Sequence, residues 1–157
     1  MEKAEKDNIV ELVTLADTAQ LAEELVSLVS ENAQHSVVGA QVILLSGTLG
    51  TGKTTLSQAI AKKLGVTETV ISPTFILMKR YETTNDLIKN LVHIDAYRLE
   101  NKGEMSRLEW EELITQNNTL ILLEWPEKVS GISLPEKTIT VSLVHESEGR
   151  RCATISF

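Results

Sequence analysis

Between two apolar stretches the chain reads LSGTLGTGKTT at residues 45–55. Gly47, four residues, then Gly52, Lys53 and Thr54 is the spacing of a phosphate-binding loop. Gly47, Gly50 and Gly52 permit backbone angles that turn successive N–H groups inward, a nest for phosphate oxygens. A helix opening near Lys53 aims its positive end at the same point. Lys53 is placed to reach terminal phosphates, and the Thr54 hydroxyl to ligate Mg²⁺. Such a site also needs a carboxylate at the end of a neighbouring strand, to hold Mg²⁺ or orient water. Two acids qualify. Glu124 ends LILLE, an apolar run closed by an acid, and Asp95 lies in LVHIDAYRL, where His93, Asp95 and Tyr97 share one face by alternation. Lys53, Asp95 and Glu124 are therefore the candidate catalytic residues, and Thr54 and Glu124 the candidate metal ligands. Which of Asp95 and Glu124 touches the metal directly stays open. His93 is read as a partly buried hydrogen-bonding residue and not as a catalyst. Finally, Ser72, Pro73, Thr74 and Phe75 precede a strand where a switch loop would sit. The Thr74 hydroxyl suits sensing of a γ-phosphate or its metal, and Pro73 would stiffen the approach.

These residues need elements to hold them. Residues 8–14 read as a short strand, and Asp17 or Thr18 as the cap of a helix in which Leu21, Leu25 and Leu28 recur. QVILLS (41–46) and TLILLEW (119–125) are continuous apolar runs, as expected of strands covered on both faces. The phosphate-binding turn follows the first, then a helix over 53–64 ended by Gly65. Residues 74–82 and 91–99 read as strands and 103–115 as a charged helix, while 137–146 and 150–157 alternate as a terminal hairpin. The pattern predicts a single α/β domain over 1–157. Its form is a P-loop NTPase-like three-layer sandwich, with a mixed, mostly parallel sheet and antiparallel additions in the C-terminal part.

Composition narrows the function classes. The 22 acids against 15 bases give a net charge of −7, whereas nucleic-acid binding leaves a basic footprint. The chain is a poor candidate for holding RNA or DNA unaided. Its single cysteine, Cys152, excludes an internal disulfide and fits a reducing compartment. The opening MEKAEKDN lacks the apolar core of a signal peptide, and no apolar run approaches the roughly 18 residues that span a bilayer. The expectation is a cytoplasmic protein with no membrane partner; self-association is compatible with the sequence. NKGE (101–104) imitates a guanine-reading element, but it follows the charged YRLE and not an apolar strand. Adenine is therefore preferred to guanine.

Taken together, GTLGTGKTT, SPTF, HIDAYRL and LEWPEK, in that order over residues 47–128, resemble the TsaE-type P-loop ATPase family. That family serves bacterial tRNA threonylcarbamoyladenosine (t6A) biosynthesis. The resemblance implies that Gly50, Thr51, Gly52, Lys53, Thr54 and Thr55 cradle ATP, with Thr54 on Mg²⁺. It also implies Glu124 as the acidic metal-site residue, Asp95 as the nucleotide-site acid, Ser72–Phe75 as a switch-like segment and Trp125 as the tryptophan after the acid. EGRR (148–151) resembles a C-terminal turn near the nucleotide, which points to Gly149 and Arg150. The stretch ENKGEMSRLEWEEL departs from the family by lacking an Asp-Pro-Glu opening, so Trp110 is read as packing, and the segment before residue 41 is longer than usual. The implied activity is a slow ATPase acting on the threonylcarbamoyl transferase complex, with tRNA reached only through that partner. The rival is a small-molecule kinase with Asp95 as base. It would need an arginine-bearing lid, and the five arginines, at 80, 98, 107, 150 and 151, are not spaced as one.

Overall fold

The structure is a computed structural model that describes residues 8–35 and 38–157. In chain order its elements are β1 (Asn8–Leu12), α1 (Leu15–Gln34), β2 (Gln41–Ser46), α2 (Lys53–Lys63), β3 (Met78–Glu82), β4 (Asn90–Asp95), α3 (Trp110–Leu113), β5 (Thr119–Glu124), β6 (Ile139–His145) and β7 (Arg151–Ser156). Short 3₁₀ turns occupy Lys102–Leu108, Pro126–Val129 and Ser147–Gly149. The charged opening at residues 1–7 lies outside the described residues.

The seven strands form one mixed sheet in the order β1-β7-β6-β2-β5-β4-β3. Strands β6, β2, β5 and β4 run parallel, and β1, β7 and β3 are added antiparallel. Antiparallel additions thus flank the parallel centre on both sides, not only in the C-terminal part. The central strands are apolar at nearly every position because both faces are covered. Along β5, Leu120 and Leu122 pack under α1 and α2, while Ile121 and Leu123 meet Met105, Trp110 and Leu113 on the other face. Two cores on one sheet make the expected three layers.

Local chemistry moves several boundaries. Helix α1 is capped by Thr14, and Asp17 is the reciprocal partner of a capping box. Thr14 N–H and Val13 N–H donate to the Asp17 carboxylate at 2.6 and 3.0 Å, and Asp17 N–H donates to Thr14 Oγ1 at 3.2 Å. Residues 74–77 do not join β3, because the Pro73 carbonyl accepts from Ile76 and Leu77 N–H and closes a turn. Strand β4 stops at Asp95, whose side chain accepts from Tyr97 N–H at 3.0 Å and bends the chain. The expected helix over 103–115 is broken at Glu109, which has φ of 55°. Met105 and Trp110, both buried, would lie about 140° apart around an unbroken helix. The break turns both toward the sheet, and the Trp110 indole N–H donates to the Ser133 carbonyl at 2.8 Å. Trp110 packs in the core, as the sequence suggested.

Gly65 ends α2 with φ of 79°, and a Cβ there would sit 1.9 Å from Thr84 Oγ1. Left-handed backbone alone costs a non-glycine residue about 1–2 kcal/mol. We expect Gly65→Ala to lower the melting temperature by at least about 2 °C, and Thr84→Ala to restore part of the loss, both read by thermal denaturation. At the other helix, the Asp17 carboxyl is held below its ordinary value, first by the Thr14 amide, then by the Thr14 hydroxyl and the Val13 amide. A depressed folded-state value means the contribution is present at neutral pH and is lost as pH falls through that value. Asp17→Asn should therefore flatten the stability loss measured below about pH 4.

Candidate nucleotide site

The site lies at the carboxyl ends of the parallel strands, where β2, β4 and β5 each end beside a loop. Strand β2 leads directly into the glycine-rich turn, and α2 begins at Lys53. Gly47, Gly50 and Gly52 have φ of 143°, 76° and 102°. Gly47 passes so close to β6 that a Cβ would lie 2.5 Å from the Leu143 carbonyl oxygen. This loop requires glycine there for backbone angle and for space alike.

Above α2's first turn opens a cavity of about 350 Å³, the scale of a small-ligand site. Gly50, Gly52, Lys53, Thr54 and Thr55 face it, whereas Thr51 does not. Thr51 is buried, and its hydroxyl donates to the Thr48 carbonyl at 2.9 Å, bracing the loop from within. Lys53 is only 5% exposed. Its ammonium donates to the Gly47 and Thr48 carbonyls at 2.6 and 2.9 Å and lies 4.0 Å from the centre of the Trp125 ring. Burial pushes the Lys53 ammonium below its ordinary value, while Glu124, Glu127 and Asp95 pull it back up. Trp125 holds this place from a left-handed backbone (φ 60°) and packs against Tyr97 at 4.9 Å.

The two candidate acids are register partners on β4 and β5, so both side chains emerge on the α2 face. Neither faces solvent: Asp95 is 3% exposed and Glu124 is 2%. Their partners differ. Glu124 Oε1 lies 2.8 Å from His93 Nε2, and the carboxylate accepts from Ser57 Oγ at 3.3 Å and from Thr54 Oγ1 at 3.3 and 3.4 Å. Asp95 Oδ2 instead accepts from Thr74 Oγ1 at 2.8 Å and Ser72 Oγ at 3.2 Å. Ser72 and Thr74 line the cavity, while Pro73 is buried as the base of its turn. Phe75 points away, 82% exposed, with the Arg98 guanidinium 4.3 Å from its ring centre.

One expected pair falls elsewhere. Gly149 is exposed with no atom within 4 Å of a built Cβ, and Arg150 turns to Glu11 at 3.8 Å. Arg151 lines the cavity, its guanidinium 2.6 Å from where a Gly52 Cβ would be. The reason is strand parity. Arg151 alternates with Ala153 and Ile155, which pack in the core beside α1, and one residue's shift reverses the face. That alternation was present in RRCATISF and could have selected Arg151. Ser57 was also missed, although a residue one helical turn beyond Lys53 lies on the same α2 face. His93 is fully buried rather than partly so.

Residues able to hold phosphate groups and a divalent cation converge here. Two oxygens in adjacent positions of a Mg²⁺ octahedron stand about 2.9 Å apart. The Thr54 hydroxyl and Glu124 carboxylate, 3.3 Å apart, need only a slight adjustment, or one intervening water, to share a cation. Among the described residues no cluster of three or more His, Cys, Asp and Glu side chains is gathered to hold a metal. A Mg²⁺ here would draw its remaining ligands from phosphate oxygens and water, as this ion usually does. Among the described residues no helix is long and apolar enough to cross a membrane.

The chain resembles known proteins in sequence and in shape. It is 39% identical over 127 residues to the tRNA threonylcarbamoyladenosine biosynthesis protein TsaE of Nostoc, covering 78% of this chain and 74% of that one. With the same-named protein of Aquifex aeolicus it shares 39% over 114 residues, 71% of each chain. The Bacillus subtilis protein of that name is 34% identical over 115 residues, 73% of this chain and 68% of that one. In shape it matches the crystal structure of Bacillus subtilis YdiB with a TM-score of 0.73, covering 99% and 88% of the two chains at 23% identity, a likeness of fold. The family described as threonylcarbamoyl adenosine biosynthesis protein TsaE matches residues 12–153. With nearly its whole length matched, the chain belongs to the TsaE family.

Proposed function

We propose that this protein binds ATP·Mg²⁺ in the cavity over α2 and hydrolyses it slowly. In this reading it acts in the cytoplasm as a nucleotide-dependent switch on the threonylcarbamoyl transferase complex of t6A biosynthesis. The observation that carries the reading is the convergence on one cavity of the glycine-rich nest, buried Lys53, and two register-paired carboxylates. The chain's own groups divide the work. Loop amides and Lys53 grip phosphates, with Lys53 exchanging its carbonyl partners for phosphate oxygens. Thr54 and Glu124 hold the metal side, and Arg151 adds positive charge from the β6–β7 hairpin. Bound Mg²⁺ supplies charge neutralisation at the phosphates.

The switch follows from how Asp95 is bonded. Its carboxylate ties Ser72 and Thr74 to the site, and the next residue, Phe75, stands 82% exposed. A change in what the Thr74 hydroxyl bonds would move an apolar surface that a partner protein can read. The net charge of −7 supports a division of labour in which the partner, not this chain, carries the tRNA.

Two outcomes are expected. Calorimetry should show Lys53→Ala weakening ATP uptake about 100-fold or more, while Glu124→Gln retains uptake and loses phosphate release by about 10²-fold. Unchanged uptake by Lys53→Ala would remove the nucleotide site from this loop. In a phosphate-release assay, purified protein should turn over ATP slowly without any added metabolite, and faster with the transferase subunits. Rapid unassisted turnover would contradict the switch, and release that required a metabolite would favour a kinase.

A further inference from the structure

Behind Glu124, on the side away from the cavity, sits His93. It is 0% exposed and does not line the cavity. Its Nε2 lies 2.8 Å from Glu124 Oε1, and its Nδ1 has no hydrogen-bond partner among the described residues. Buried polar atoms are seldom left unpaired without a reason. With no acceptor for Nδ1 among the described residues, the ring proton belongs on Nε2, which makes His93 a fixed donor to the carboxylate. The other donors to Glu124 have competing engagements. Ser57 Oγ has one proton and a shorter bond, 3.0 Å, to the Lys53 carbonyl. Thr54 Oγ1 is the hydroxyl that a metal would claim.

Resting on the nucleotide reading above, we propose that His93 is the positioning residue for Glu124. Its Nε2–H pins Oε1 and with it the carboxylate that faces Thr54 Oγ1 at 3.3 and 3.4 Å, and this sets the affinity of the metal side of the site. A carboxylate without that anchor would keep its charge but lose a defined orientation. Losing such an outer partner typically costs 10–100-fold in metal affinity.

The test separates orientation from folding and from nucleotide uptake. Mn²⁺, followed by electron paramagnetic resonance, is titrated into each protein saturated with ADP. Calorimetry of ADP without metal gives the uptake that Glu124 does not govern, and thermal unfolding reports on the fold. His93→Leu should weaken Mn²⁺ binding about 10–100-fold with metal-free ADP uptake intact. His93→Gln, whose amide nitrogen reaches roughly where Nε2 lies, should restore most of it, and His93→Asn, one carbon shorter, should not. The Gln–Asn contrast decides the matter even if the Leu variant does not fold. Native Mn²⁺ affinity in the Leu or Asn variant, or equal weakness of Gln and Asn, would overturn the positioning role alone. Failure of the unmodified protein to take up ADP would overturn the nucleotide reading and this role with it.

Discussion

A carboxylate buried at the end of an all-apolar strand is the constraint on which the site turns. Taking such a charge out of water costs several kcal/mol unless hydrogen bonds and opposite charge offset it. Glu124 meets that demand by drawing three partners from two elements: His93 from β4, and Thr54 and Ser57 from α2. Each partner fixes a relation between elements. The strand register that pairs Asp95 with Glu124 brings His93 onto the same face, and the helix must begin at Lys53 for Thr54 and Ser57 to reach the acid. Packing under α2 by Leu56, Ile60 and Leu64 then locks the helix in place.

Lys53 is held by a second set of buried interactions. Its ammonium sits between carbonyls of its own loop and the face of Trp125, a cation–π contact strengthened where water is excluded. Trp125 reaches that position because the chain reverses at the end of β5, with Trp125 in the left-handed region and Pro126 opening the next turn. The residue following the acid therefore has a mechanical purpose. It ends the strand, caps the turn and supplies the lysine's aromatic neighbour. Such strained backbone persists where surrounding structure over-determines it, and here the Trp125 N–H is tied to the Leu45 carbonyl at 3.1 Å.

Much of this could be read from the chain. Apolar runs without alternation marked β2 and β5 as covered on both faces, and the glycine spacing marked the nest. Alternation in VHID places His93 and Asp95 on one face. What could not be read was long-range. Nothing local in SPTF says that its hydroxyls bond an acid 21 and 23 residues later. The same limit hid the broken helix after residue 101, where burial of Met105 and Trp110 outweighed helical continuity. Arg151 rather than Arg150 lines the cavity, a matter of strand parity that the alternation in RRCATISF carries and the turn before it does not. The capping error had a similar origin: Asp17 is a good cap by type, but Thr14 with Asp17 three residues later forms a reciprocal pair.

Two neighbouring acids with different partners make different devices. Glu124 is bonded to a strand and a helix that share one core, so its position is as rigid as the fold. Asp95 is bonded on one oxygen to two hydroxyls of an exposed segment and on the other to Tyr97 N–H, so it is tied to the loops on both its sides. Register alignment places the two residues on neighbouring strands whose backbones run about 5 Å apart. Added positive charge in the cavity would therefore be felt by both, by one acid tied to the core and by one tied to loops. Arg98 on the Phe75 ring joins those two loops a second time at the surface. A rearrangement beginning at Asp95 would thus reach both sides of the cavity mouth together.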